Sequence, residues 1–105
     1  MDKDTLKKQY ANDFEQLQKM MNEWDPMALI SLGCPEDEYD KYTNRVLSIL
    51  YRYKAMPNEC QDKLNDYLKL FDEDIKEMAM GSNGKFFTMN VKEFTGRILN
   101  WFKYR

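Results

Sequence analysis

Apolar residues recur at helical spacing in four long stretches of this chain, and prolines or glycines fall between them. Leu6, Tyr10, Phe14, Leu17, Met20, Met21 and Trp24 advance by threes and fours, which predicts one helix from about Asp4 to Trp24. Asp25-Pro26 stops it, because proline lacks an amide hydrogen and drives the preceding residue out of the helical region. Asp25 as N-cap with Pro26 at the first helical position then predicts a short helical turn through Met27 to Leu32, ended by Gly33. Pro35 opens a second long helix to about Lys54, with Tyr39, Tyr42, Val46, Ile49, Leu50 and Tyr53 as its stripe.

Met56-Pro57-Asn58 breaks the pattern again, and Cys60, Leu64, Tyr67, Leu68, Phe71, Ile75 and Met78 predict a third long helix to about Met80. Gly81-Ser82-Asn83-Gly84 is the clearest loop. Asn90, with Glu93 three residues on, forms a variant capping box, so the last helix starts there and buries Val91, Phe94, Ile98, Trp101 and Phe102. Residues 85–89 before it are apolar, but a lone strand has no partner, so a loop packed on the bundle is expected. The fold predicted is all-α: a small antiparallel bundle of four main helices plus a short helical turn.

Composition narrows this to one domain spanning residues 1–105. A chain of that length buries about two-thirds of its unfolded surface, and 43% apolar with 32% charged residues is globular usage. Cys34 and Cys60 are far apart and no histidine is present, so a zinc set is not expected, and the thiols read as reduced. No apolar leader and no run of 18 apolar residues occurs, which predicts neither signal peptide nor membrane span and a cytoplasmic location.

Charge changes the picture more by position than by sum. The net charge of −2 does not call for a nucleic-acid partner, yet residues 58–80 hold seven acids and three bases while residues 85–105 hold five bases and one acid. Packed helices attracting across their rims account for that asymmetry, and so does steering of a partner. Glu36, Asp37, Glu38 and Asp40 cluster after Pro35, where two readings stand: favourable charge at a helix N-terminus, or an acidic docking surface for a basic partner, with Tyr39 or Tyr42 as its aromatic anchor.

Catalytic chemistry finds little footing. Without histidine the commonest general base and the triads built on it are missing, and nothing around the acidic cluster marks a carboxyl raised for acid catalysis. Asp72-Glu73-Asp74 lacks the continuation of a calcium loop, and Gly81 and Gly84 lack the lysine and hydroxyl of a phosphate loop. Trp101-Phe102-Lys103-Tyr104-Arg105 has the makings of a membrane or nucleic-acid stripe, but its rings continue a core stripe and its cations suit a helix C-terminus. The eight methionines fall mostly at core spacing, and Cys34 reads as a small apolar residue. No enzyme activity, cofactor, nucleic-acid partner or membrane partner is expected.

Trp24-Asp25-Pro26, then Leu29, Gly33, Pro35 and Asp37-Glu38-Tyr39-Asp40, resembles the signature of the YugE-like family of small helical bacterial proteins. The likeness covers the first half of the chain, to about Lys54, and Cys34 and the tyrosine-rich second half depart from it. It implies a compact helical bundle and brings no activity with it. Trp24, Asp25, Pro26, Gly33 and Pro35 then read as an architectural motif, with Trp24 and Tyr39 packed across the break.

The function expected is non-enzymatic protein binding, in its most concrete form an immunity-type protein masking a basic toxin domain with the acidic cluster. The alternative is a housekeeping or regulatory protein that self-associates, as a homodimer through apolar residues such as Phe86 and Phe87.

Overall fold

The computed structural model describes residues 3–27, 29–30, 32–81 and 89–105, and of residues 78–81 only the backbone. Among the described residues five α-helices carry the fold: α1 (Lys3–Trp24), α2 (Asp40–Arg52), α3 (Pro57–Leu68), α4 (Asp72–Gly81) and α5 (Val91–Tyr104), with a 3-10 turn, Lys69–Phe71, between α3 and α4. The fold is all-α, as its apolar periodicity predicts. No strand occurs among the described residues, and no helix there is long and apolar enough to cross a membrane.

Side-chain contacts fix the direction of each helix. Gln18, late in α1, meets Asp40 at the start of α2, whereas Tyr10, early in α1, meets Tyr51 near the end of α2. Trp24 stacks on Phe94 at the start of α5, while Asp13 pairs with Arg105 just beyond its end. α1 therefore runs antiparallel to both neighbours. α3 closes the ring between α2 and α5.

Leu17, Met21, Val46, Leu47, Leu50, Leu64, Leu68 and Ile98, fully buried, fill the space between the four. Each expected stripe contributes to that core, and burying each such side chain contributes about 1.5–3 kcal/mol of hydrophobic free energy. The cap expected for the last helix forms: the Asn90 side chain accepts the Glu93 amide at 2.8 Å and donates to its carboxylate at 3.1 Å.

Two boundaries differ from expectation. The third helix is two helices, because the 3-10 turn swings Phe71 inward against the edges of Trp24 and Tyr42 and leaves Leu70 exposed. Asp72, Glu73 and Asp74 thereby come to lie in the first turn of α4, where the helix dipole favours them. The second helix starts at Asp40 rather than Pro35, preceded by two turns in which the Glu38 amide bonds the Pro35 carbonyl and the Asp40 amide that of Asp37. The expected loop at 81–84 and the apolar stretch 85–89 fall mostly outside the described residues. Met89 is half-buried, and its carbonyl accepts the Trp24 indole N–H at 2.7 Å.

Candidate functional site: the α1–α2 connection

Asp25 organises the fifteen residues between α1 and α2. It adopts a left-handed backbone, φ 47°, just past the end of α1, and its amide donates to the Met21 carbonyl at 2.9 Å. That is a C-terminal helix cap in a conformation usually left to glycine or asparagine. Asp25 was expected to cap the start of the next turn. Its carboxylate reaches across the connection, where Oδ1 accepts the Ile30 amide at 3.0 Å and the Tyr39 hydroxyl at 2.6 Å.

Tyr39 completes the lock from the other side. While donating to Asp25, its hydroxyl accepts the Met27 amide at 3.1 Å and lies 3.4 Å from that of Leu29. Both side chains are buried, Tyr39 wholly so. Burial first, and then the bond to Asp25, push the Tyr39 phenol far above its ordinary value. The phenol stays a neutral donor throughout the physiological range.

Between these two residues the chain closes on a glycine. The Cys34 amide donates to the Leu29 carbonyl at 2.9 Å and the Gly33 amide to that of Ile30 at 3.0 Å, the paired bonds of a Schellman motif, with Gly33 at φ 91°. Gly33 thus ends the Met27–Leu32 turn as its sequence position implies. Asn22 donates to the Glu36 carbonyl at 3.0 Å and pins the loop's outer limb to α1.

The six residues assigned to a docking surface separate here. Glu36, Asp37 and Glu38 are exposed, and none of them takes part in an ion pair among the described residues. They directly precede α2 and its N-cap Tyr39. Asp40 is half-buried in that first turn and accepts the Gln18 amide at 2.7 Å. Tyr39 and Tyr42 need correction as aromatic anchors. Tyr39 has no exposed surface, and Tyr42 lies half-buried with its ring 5.0 Å from Phe71 and Lys41 over it. Trp24 and Tyr39 share the buried core, and the ring on which Trp24 stacks is Phe94, ring centres 4.0 Å apart.

Two further groups escaped the reading of the sequence. Asp13 is buried on the core side of α1, where its carboxylate accepts the Tyr51 hydroxyl at 2.6 Å and pairs with Arg105 at 2.9 Å. Burial first, then that bond, raises the Tyr51 phenol, and Arg105 opposes the rise. Asp13 stands three residues from Tyr10 and four from Leu17, so the helical stripe itself held the signal. Arg45 and Arg52 project from one face of α2 toward Lys63 of α3, a cluster that counting charge by segment conceals. Among the described residues no group of histidine, cysteine or acidic side chains is placed to hold a metal ion. No protein-family model, characterised protein or solved structure matches the chain.

Proposed function

We propose that the protein is a non-enzymatic binding protein whose α1–α2 connection presents Glu36, Asp37 and Glu38 to a basic partner protein, with Asp40 at the edge of that surface. One observation carries this reading: three consecutive exposed acids, none in an ion pair among the described residues, stand on a loop that a buried Asp25 to Tyr39 hydrogen bond ties across. A loop ordered before binding loses less conformational entropy on docking. Clustered like charge raises the rate of encounter with an oppositely charged face. In its finer form the proposal is an immunity-type protein of the bacterial cytoplasm that masks a basic toxin domain. We also place the chain beside the YugE-like family, since the residues of that likeness are largely the ones that build the lock and the acids it presents.

Affinity capture from native lysate at low and high salt, with wild type beside an E36Q/D37N/E38Q variant, tests this. A stoichiometric basic protein captured by wild type, weakened by salt and lost from the variant is expected, and a nuclease domain in that role would support immunity. A partner held equally by the variant would remove the acidic surface from the proposal.

A further inference from the structure

Arg45, Ser48, Ile49 and Arg52 follow one another at helical spacing along α2, and with Tyr53, Lys63, Asp66 and Tyr67 they line an open groove of about 400 Å³ between α2 and α3. Neither arginine nor Lys63 takes part in an ion pair among the described residues. The groove's single acid, Asp66, lies 3.4 Å from Lys69 in an exposed pair. Burial raises the Tyr67 phenol first and foremost, and the charge of Arg45 opposes that rise from across the groove. At the Tyr53 end the groove meets a larger hollow of about 680 Å³, lined by Cys60, Leu99, Phe102, Lys54 and Lys103 and, among the described residues, by no acidic side chain.

We propose that the α2–α3 groove docks an acidic segment of a partner protein that carries apolar side chains between its carboxylates. Arg52 lies seven positions beyond Arg45, about 10 Å along a helix, and a polyproline-II segment, with three residues per turn and about 3.1 Å per residue, covers that distance in about three residues with its first and fourth side chains on one face. Acids three apart on such a segment meet the two arginines, whose planar guanidinium groups suit carboxylates. The apolar side chains between them settle on Ile49 and the tyrosines. A nucleic-acid strand fits the surroundings less well. Asp62 and Asp72 line the neighbouring hollow beside α3, which shares Asp66 with the groove, so a long polyanion meets repulsion beyond a few residues. This site is distinct from the acidic loop and takes a partner of opposite charge.

Fluorescence anisotropy with a labelled peptide repeating glutamate-leucine-threonine tests the proposal, with a lysine-for-glutamate peptide and labelled oligothymidylate as comparison probes. The glutamate peptide is expected to bind saturably and more tightly than either. R45E/R52E, both changes being on exposed side chains, should weaken it at least about tenfold, the sum of two lost surface ion pairs. Asp66→Asn should tighten it, and E36Q/D37N/E38Q should leave it as strong as before. Circular dichroism establishes that each variant is folded. Absence of saturable binding to wild type, equal binding to folded R45E/R52E, or tighter binding of oligothymidylate would each overturn the proposal.

Discussion

Asp25-Pro26 and Met56-Pro57 both interrupt the helical pattern with a proline, and they build different things. At the second, α2 runs out at Arg52, the Met56 amide closes a turn onto the Tyr53 carbonyl, and Pro57 begins α3 with no side chain capping its start. Only four residues separate the helices. At the first, fifteen residues intervene, and a buried carboxylate and a buried phenol tie the two limbs of the connection together. Proline ends a helix in both places. What turns one break into a presented surface is the polar pair behind it, since loop carbonyls and amides cannot be buried without partners.

The sharpest way to break the contrast is to delete the lock. Tyr39→Phe keeps the ring and removes only the hydroxyl, so the part-buried Met27 amide loses its acceptor and the buried Asp25 carboxylate, which keeps the Ile30 amide, loses this donor. A loss of about 2–4 kcal/mol is expected in urea unfolding, because an unmet buried group costs more than the bond itself gained. Asp25→Asn keeps an acceptor while removing the charge and should cost less. The same bond predicts a pH signature. The phenol is raised in the folded chain by burial and then by Asp25, so its contribution is intact below the ordinary tyrosine value of about 10 and fades as pH climbs above it. Tyr51 and Tyr67 slope the same way, so the test is whether Tyr39→Phe flattens part of the alkaline decline.

Gly33 is the next lever on the same loop. A Cβ there meets nothing within 4 Å, so the cost of Gly33→Ala is that of the backbone at φ 91° alone. About 1–2 kcal/mol of destabilisation is expected by thermal or urea unfolding. A neutral result would mean that the Schellman turn relaxes without disturbing the loop.

How much of this the sequence discloses follows from the range of each interaction. The helical stripes and the Asn90 to Glu93 cap are set by neighbours three and four residues away, and both are legible. The Asp25 to Tyr39 bond spans fourteen residues and leaves no local trace. Tyr39 sits among Asp37, Glu38 and Asp40 and so looks like surface, although it is fully buried. The 3-10 turn at Phe71 is equally silent, because Trp24 and Tyr42, distant in sequence, supply the pocket that draws the ring inward. Arg45 and Arg52 were visible as a helical face, but they form a groove only once α3 places Lys63 opposite.

The second break sharpens the comparison because it has room for improvement. Met56 precedes Pro57 with a non-helical backbone, its carbonyl accepts the Cys60 amide, and its side chain caps nothing. Met56→Asp supplies the missing acceptor at the start of α3 and should stabilise the protein by about 0.5–1 kcal/mol in urea unfolding. At the first break α2 also starts without a side-chain cap, but its N-cap is Tyr39, whose hydroxyl the lock uses, so no capping change there should gain as much.

The smallest effect on stability is expected from the residues assigned the largest functional one. Glu36, Asp37 and Glu38 are exposed and make no ion pair among the described residues, so neutralising all three removes solvated charge and little packing. The net charge moves from −2 to +1, since three negative charges are removed. Mutual repulsion of adjacent carboxylates is relieved as well. The unfolding midpoint should therefore shift by less than about 0.5 kcal/mol equivalent, in either direction. Acids serving as intramolecular supports would behave otherwise, because their loss would loosen the loop and expose amides that hydrogen exchange detects. Unchanged exchange at Met27, Leu29 and Ile30 together with lost capture of a basic partner would separate presentation from architecture: the lock holds the loop, and the acids face outward from it. Faster exchange at those amides would make the acids part of the lock, and the two proline breaks would then differ in structure alone.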